Sequence, residues 1–179
     1  MNYTGERMVP WNRVTGKQVM QCHIARYAWA IQHVFDKHVV DLGCGTGYGS
    51  FMLSWAAKSV LGVDISKEAI EYAKAHFDDD SLCFRVSDIS KVFLSADVYV
   101  AFEVLEHLDF PQRIVERFKP LVWSIPVNDT RSMFHSRTYS VSEIDTLMGV
   151  SEWFQDKDGL IVRREVAWFD PVYALGVTA

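Results

Sequence analysis

A glycine-rich turn between an apolar strand and a helix constrains this 179-residue chain more than any other feature. Residues 39–50 read VVDLGCGTGYGS, where four glycines follow a short apolar run at a spacing of two. Glycine at that density lets the backbone turn sharply and lie close to a ligand, because no Cβ is in the way. The apolar residues that follow begin a helix, and the N–H groups at a helix N-terminus attract phosphates and nucleotides. The stretch therefore predicts a nucleotide-type site.

Two acidic residues make this motif more specific. Asp41 lies inside the first strand, and a second apolar strand over residues 59–65 ends near Asp64. A carboxylate at that point is placed to accept hydrogen bonds from both hydroxyls of a ribose. Two alternatives stay open: a glycine turn that only packs the helix on the strand, and an NAD site, whose fingerprint has similar spacing.

Strands alternate with helices along the rest of the chain. Further strands are predicted over residues 82–86, 97–104, 121–127, 160–169 and 172–177. Helices are predicted over residues 111–118 and after Thr15, Ser66 and Ser140, which have the character of helix caps. Alternation implies right-handed crossovers and a parallel sheet.

The last two predicted strands are joined by only two residues, Asp170 and Pro171, so we expect them to pair antiparallel. The predicted fold class is therefore α/β: a doubly wound, seven-stranded, mostly parallel Rossmann-like sheet with a C-terminal antiparallel hairpin.

Length and composition fit one domain over residues 15–179, after an irregular N-terminal arm over residues 1–14. The formal net charge of −5 argues against a chain that holds nucleic acid by neutralising its phosphates. No apolar run is long enough to span a membrane and no secretory signal opens the sequence, so we expect a cytoplasmic protein.

The cysteines and two polar residues of the first helix can be interpreted from their positions in the sequence. The three cysteines, Cys22, Cys44 and Cys83, are scattered without CxxC spacing, which predicts buried thiols rather than disulfides or a zinc site. In the first helix, His23 and Arg26 lie off the apolar stripe, which leaves both a solvated face and a functional role open.

Seven segments resemble the class I S-adenosylmethionine-dependent methyltransferases, in particular a branch associated with modification of sugars and cell-surface glycans. They read TGERMVP, HIARYAWA, VVDLGCGTGYGS, VLGVDISKEAI, AFEVLEHL, WSIPVN and FHSRTYSVSEI, in chain order. The resemblance implies S-adenosylmethionine as the cofactor and an antiparallel end to the sheet.

The resemblance also implies which residues hold the cofactor. The glycine turn would shape the pocket for the methionine part, Asp64 would bind the ribose, and Asp88 would hydrogen-bond the adenine amino group. The full predicted set is Asp41, Gly43, Cys44, Gly45, Gly47, Asp64, Ile65, Asp88, Ile89, Phe102 and Glu103. Closure over the cofactor is expected from Tyr3, Arg7, Arg26 and Tyr27.

His107 and Glu103 are the predicted catalytic residues. Methyl transfer mainly requires the acceptor to be aligned with the methyl group, and a general base helps when the acceptor is a hydroxyl. His107 follows the fourth strand in EVLEH, next to the predicted cofactor, and imidazole titrates near neutral pH. The alternative for a lone histidine is a structural role.

A divalent metal site is a further hypothesis. If residues 103–107 form a helical turn, Glu103, Glu106 and His107 share a face, and His135 from a later loop would complete two oxygen and two nitrogen ligands. This arrangement resembles metal-dependent methyltransferases of small-RNA 3′ ends and quinone-precursor O-methyltransferases.

These observations favour O-methylation of a small-molecule or glycan-type acceptor. The alternatives are a metal-dependent 2′-O-methyltransferase of RNA 3′ ends and a catalytically silent cofactor-binding subunit. The loop after the fourth strand is short, and Lys119 and Pro120 replace the family's glycine pair before the fifth strand. Since no sizeable insertion covers the predicted active face, we expect a protein partner or a second copy to supply a lid.

Overall fold

The computed structural model describes residues 17–129 and 136–179. Its strands are β1 His38–Leu42, β2 Ser59–Asp64, β3 Leu82–Val86, β4 Val98–Phe102, β5 Leu121–Pro126, β6 Trp153–Gln155, β7 Ile161–Arg163 and β8 Tyr173–Thr178. Its helices are α1 Lys17–Val34, α2 Tyr48–Ser54, α3 Lys67–His76, α4 Pro111–Arg117 and α5 Val141–Met148. Two single turns of 3₁₀ helix cover Leu105–His107 and Arg164–Val166. The predicted arm, residues 1–14, and the predicted cap Thr15 lie outside the described residues.

The eight strands of the described residues form one sheet in the order β3-β2-β1-β4-β5-β8-β6-β7. The first five strands are parallel, with β1 paired to both β2 and β4. The last three are antiparallel to their neighbours. The strand order reverses at β1, and in open α/β sheets ligands bind at the carboxyl ends of the strands beside such a point. The predicted α/β fold class is confirmed.

The sheet is covered on both faces. One cluster of buried side chains carries residues of α1, α2 and α3, including Ala30, Leu53 and Ile70. The other carries residues of α4 and α5, including Ile114 and Ile144. Coverage on both sides explains why β4 and β5 are buried throughout and read as continuous apolar runs.

Two helix caps follow the sequence prediction. The Ser66 side chain accepts a hydrogen bond from the Ala69 N–H at the start of α3. Ser140 and Glu143 form a capping box at the start of α5, and Gly149 follows the last turn of that helix. These caps fix where α3 and α5 begin, and therefore where the loops at the carboxyl edge of the sheet end.

The C-terminal strands pair differently from the prediction. The run 160–169 is strand only over β7, because the chain turns into 3₁₀ helix at Arg164–Val166. β7 pairs with β6, and β8 lies between β5 and β6, so the two predicted strands do not form a hairpin with each other. β6 was not predicted, since three residues are too few to show an alternating pattern.

The cysteine prediction was wrong for one residue. Cys22 and Cys44 are buried free thiols, whereas Cys83 is free and exposed, because it lies on the outward face of the edge strand β3. No helix in the described part of the chain is long and apolar enough to cross a membrane.

Candidate functional site

A cleft of about 220 Å³ opens at the carboxyl edge of the parallel strands, beside the glycine turn. It brings together most of the predicted site residues. Those that line it are Gly43, Cys44, Gly45, Asp64, Ile65, Asp88, Ile89, Phe102, Glu103 and His107. The structure thus gathers side chains and backbone from four separate stretches of sequence into one concave surface.

The glycines of the turn have different roles. Gly43, Gly45 and Gly47 all have positive φ angles, of 72°, 54° and 84°, which side-chain-bearing residues rarely adopt. A Cβ on Gly43 would lie 2.5 Å from Cγ2 of Val104, and one on Gly47 would lie 2.6 Å from Cβ of Ala73. A Cβ on Gly45 would meet nothing within 4 Å. Gly45 therefore borders open space in the cleft, as expected where backbone lies against a ligand.

Asp64 connects the end of β2 to this turn. One carboxylate oxygen accepts a hydrogen bond from the Gly45 N–H at 2.9 Å, and the other accepts from the Ser66 N–H at 2.8 Å. Each oxygen keeps a further lone pair. The carboxylate therefore holds the turn in place and can still accept hydrogen bonds from a ligand in the cleft.

Asp41 and Gly47 support the turn from behind, and neither is among the residues that line the cleft. The Asp41 carboxyl is fully buried and accepts hydrogen bonds from the hydroxyls of Ser50, at 2.6 Å, and Tyr27, at 3.3 Å. Burial raises the pKa of Asp41 to about 7, although these hydrogen bonds act in the opposite direction. Asp41 therefore ties α1 and α2 to β1.

Asp88, at the rim of the cleft, is held by its own loop. Its carboxylate accepts hydrogen bonds from the N–H and hydroxyl of Ser90 and pairs with Lys91 at 2.7 Å. The hydrogen bond from Lys91, followed by those from Ser90, lowers the pKa of Asp88 to about 2. The anion is ready to accept a hydrogen bond, and its predicted contact with adenine stays a prediction.

Arg26 is fully buried, which excludes the solvated-face alternative for this residue. Its Nη2 lies 3.2 Å from Oε1 of Glu103, and its Nη1 donates a hydrogen bond to Oε1 of Gln155. Glu103 itself has a φ of 58°, an uncommon conformation for a residue with a side chain. Burial raises the pKa of Glu103, and its interactions with Arg26 and His107 act in the opposite direction.

His23 and Tyr48 line the cleft and were not predicted as site residues. The His23 Nδ1 lies 2.9 Å from the Tyr48 hydroxyl oxygen, and burial together with Arg26 keeps the pKa of His23 well below its usual value. The signal was present in the spacing, because residues 23, 26 and 27 share one face of a helix. Tyr27, expected at the cofactor, also lines the cleft, whereas Tyr3 and Arg7 lie outside the described residues.

The predicted metal ligands do not converge in the described residues. No group of three or more His, Cys, Asp or Glu side chains within residues 17–129 and 136–179 is arranged to hold a metal ion. The positive φ of Glu103 and the 3₁₀ turn at Leu105–His107 prevent the α-helical spacing that the hypothesis assumed. Glu106 is fully buried, and burial and Glu103 raise its pKa well above the usual range. His135 lies outside the described residues.

Comparisons with known proteins agree with this geometry. A family model described as a methyltransferase domain matches residues 40–122, which contain the glycine turn, Asp64, Asp88 and Glu103. The ubiquinone biosynthesis O-methyltransferase of Paraburkholderia phymatum is 33% identical over 96 residues, which are 50% of this chain and 41% of that protein. The corresponding enzyme of Coxiella burnetii is 34% identical over 91 residues, or 48% of this chain and 39% of that protein. The chain thus spans less than half the length of these curated relatives.

Solved structures share the fold at low sequence identity. The magnesium protoporphyrin IX methyltransferase of Synechocystis, solved with bound S-adenosylhomocysteine, has a TM-score of 0.66 at 15% identity and covers 97% of this chain and 90% of its own. A Haloferax volcanii methyltransferase, solved in complex with the activator Trm112, has a TM-score of 0.62 at 21% identity. The match covers 73% of this chain and 68% of the Haloferax chain. The methyltransferase-domain match over residues 40–122, these relatives and the shared fold together support a class I S-adenosylmethionine-dependent methyltransferase.

Proposed function

We propose that the chain transfers a methyl group from S-adenosylmethionine to an oxygen of a small-molecule or glycan-type acceptor. A nitrogen acceptor is the less favoured alternative. The observation that carries this proposal is the cleft in which Gly45 borders open space and Asp64 braces the turn, with Glu103 and His107 on the same wall. It rests also on the methyltransferase-domain match over residues 40–122.

The cofactor fits the residues of this cleft. Asp64 keeps lone pairs for the ribose hydroxyls, and the exposed side chain of Ile65 beside it offers an apolar surface to the adenine. Gly45 leaves room for the methionine part, and Glu103 lines the same cleft. The carboxylate of Glu103 provides a negative charge for the cationic end of the cofactor.

The chemistry then requires two things from the chain. The cofactor supplies a methyl group on a positively charged sulfur, which is already activated for transfer. The chain must align the acceptor oxygen with that methyl group, and it must accept the proton that the oxygen loses. His107 lines the cleft near Glu103, and we assign it the role of general base.

Support for an oxygen acceptor comes from the O-methyltransferase relatives, and support for a ring-bearing acceptor comes from the carboxyl edge of the sheet. Tyr173, the first residue of β8, pairs with Pro126 at the carboxyl end of β5, so the residues just before β8 lie at the catalytic edge. Trp168 lies in this segment with 80% of its surface exposed. An exposed indole is suited to stack on a sugar or an aromatic ring.

A protein partner is part of the proposal. The Haloferax volcanii methyltransferase with this fold is in complex with an activator protein, which supports a protein partner for this chain. RNA is a less favoured acceptor, because the net charge of −5 opposes phosphate binding.

The test is a screen for methyl transfer from S-adenosylmethionine to catechols, sugars and amines, with the purified chain alone and with cell extract added. With an acceptor found, we expect His107→Ala to lower kcat by about two orders of magnitude or more while the affinity for S-adenosylhomocysteine stays nearly constant. His76→Ala is the matched control, because His76 is exposed on α3 outside the cleft and stacks on Tyr72.

Two outcomes would contradict the proposal. Equal loss of binding and turnover in His107→Ala would assign the histidine to the architecture of the cleft. Cofactor binding with no turnover under any condition would favour the silent cofactor-binding subunit.

A further inference from the structure

We propose that Arg26 is a positioning residue that acts through Glu103: its guanidinium fixes the Glu103 carboxylate on the wall of the cleft, facing the cationic end of the cofactor. The inference rests on the proposed function, since it takes the cleft as the S-adenosylmethionine site. Arg26 is fully buried and is not among the residues that line the cleft. It therefore acts from behind the cleft wall.

The guanidinium of Arg26 is held from three directions. Arg26 belongs to α1, which carries the side chain. Its Nη1 donates a hydrogen bond to Oε1 of Gln155 on β6 at 2.7 Å, and its Cζ lies 3.9 Å from the ring centroid of Tyr173 on β8. Gln155 is itself fixed, because its Nε2 donates to the backbone oxygen of Cys22 at 3.0 Å. A cation restrained in this way has a defined position even when the cleft contains no ligand.

Glu103 is the residue that this cation meets at the cleft. Its Oε1 lies 3.2 Å from Nη2 of Arg26, and 20% of its side chain is exposed, so the carboxylate faces both the buried guanidinium and the cleft. Its φ of 58° shows that the surrounding structure imposes an uncommon backbone conformation on it. A partly buried carboxylate without a counter-charge is costly, and Arg26 supplies that counter-charge.

The consequence is a negative charge that is oriented before the cofactor arrives. S-adenosylmethionine carries a sulfonium and an ammonium group, and S-adenosylhomocysteine keeps the ammonium. A charge fixed in advance needs no reorganisation when it meets such a cation, which makes the interaction stronger than with a mobile side chain. Because Arg26 also contacts β6 and β8, the antiparallel end of the sheet takes part in shaping the cofactor site.

The experiment measures the dissociation constant of S-adenosylhomocysteine by calorimetry for Arg26→Met, Arg26→Lys, Glu103→Gln and the double variant Arg26→Met/Glu103→Gln. We expect each neutralising single variant to weaken binding about tenfold or more, as for the loss of a charge-assisted contact. The double variant should bind no more weakly than Glu103→Gln, because Arg26 acts only through Glu103. Arg26→Lys should recover part of the affinity, since it keeps the charge.

Arg164→Met is the matched control. Arg164 pairs with Asp145 at 2.7 Å and is not among the residues that line the cleft, so its loss removes an arginine ion pair without touching the site. We expect its dissociation constant to equal that of the wild type.

Three results would overturn the inference: wild-type affinity in folded Arg26→Met, wild-type affinity in Glu103→Gln, or a double variant whose loss is the product of the two single losses. If Arg26→Met does not fold, the double variant, which leaves no uncompensated charge, is compared with Glu103→Gln alone. Equal affinity then supports the inference and a further loss overturns it. A wild-type chain that binds neither cofactor form instead overturns the proposed function.

Discussion

The substitutions Gly45→Ala and Gly47→Ala should separate ligand binding from stability, although the two glycines are only two residues apart. Both have positive φ angles, so a side chain costs each about 1–2 kcal/mol of folding free energy. At Gly47 the new Cβ would also lie 2.6 Å from Cβ of Ala73 and 2.7 Å from Cζ of Phe84, and such overpacking adds about 1–3 kcal/mol. At Gly45 it would meet no protein atom within 4 Å.

We therefore expect Gly45→Ala to lose about 1–2 kcal/mol of unfolding free energy and Gly47→Ala about 2–5 kcal/mol, as measured by urea denaturation. Calorimetry with S-adenosylhomocysteine should give a loss of about tenfold or more for Gly45→Ala, because its methyl group occupies space next to the ligand. Equal destabilisation by the two substitutions, or wild-type affinity in Gly45→Ala, would refute the assignment of Gly45 to the ligand surface.

Three further predictions follow from the site. Asp41 has a folded-state pKa of about 7 against an ordinary value of 3.8, so the stability it confers is complete below about pH 4 and is lost as the pH rises through about 7. Between about pH 5 and pH 8, wild type should lose about 3 kcal/mol relative to Asp41→Asn, and parallel pH profiles of unfolding free energy would contradict this. Asp64→Ala should remove most of the rise in melting temperature caused by S-adenosylhomocysteine, since the Gly45 N–H and the ligand lose a charged acceptor; an undiminished rise would place the ribose elsewhere. Chelator treatment should leave methyl transfer unchanged, because the guanidinium of Arg26 already pairs with Glu103; a loss restored by Mn²⁺ would support the four-ligand metal site.

Much of the lining of the cleft could be predicted because its parts are local in sequence. The glycine turn and Asp64 have roles set by the strands that precede them, and the parallel order of β1 and β2 brings them together at one edge. Short-range patterns also predicted the caps at Ser66 and Ser140. These features depend mainly on residues that are close to them in the sequence.

The features that were missed depend on contacts across the fold. Nothing within α1 indicates that Arg26 meets Gln155, 129 residues later, or that Tyr173 packs over its guanidinium. The sequence alone therefore left a solvated position open for this side chain. Strand β6 was missed for a related reason, since its three residues are defined by pairing with β7 and β8 and not by a pattern of their own.

The central claim is that the cleft at the glycine turn binds S-adenosylmethionine and its demethylated product. The most direct measurement is calorimetric titration of the purified chain with S-adenosylhomocysteine and, in parallel, with NAD. We predict one-site binding of S-adenosylhomocysteine and no detectable heat with NAD. Binding of NAD without binding of S-adenosylhomocysteine would contradict the account.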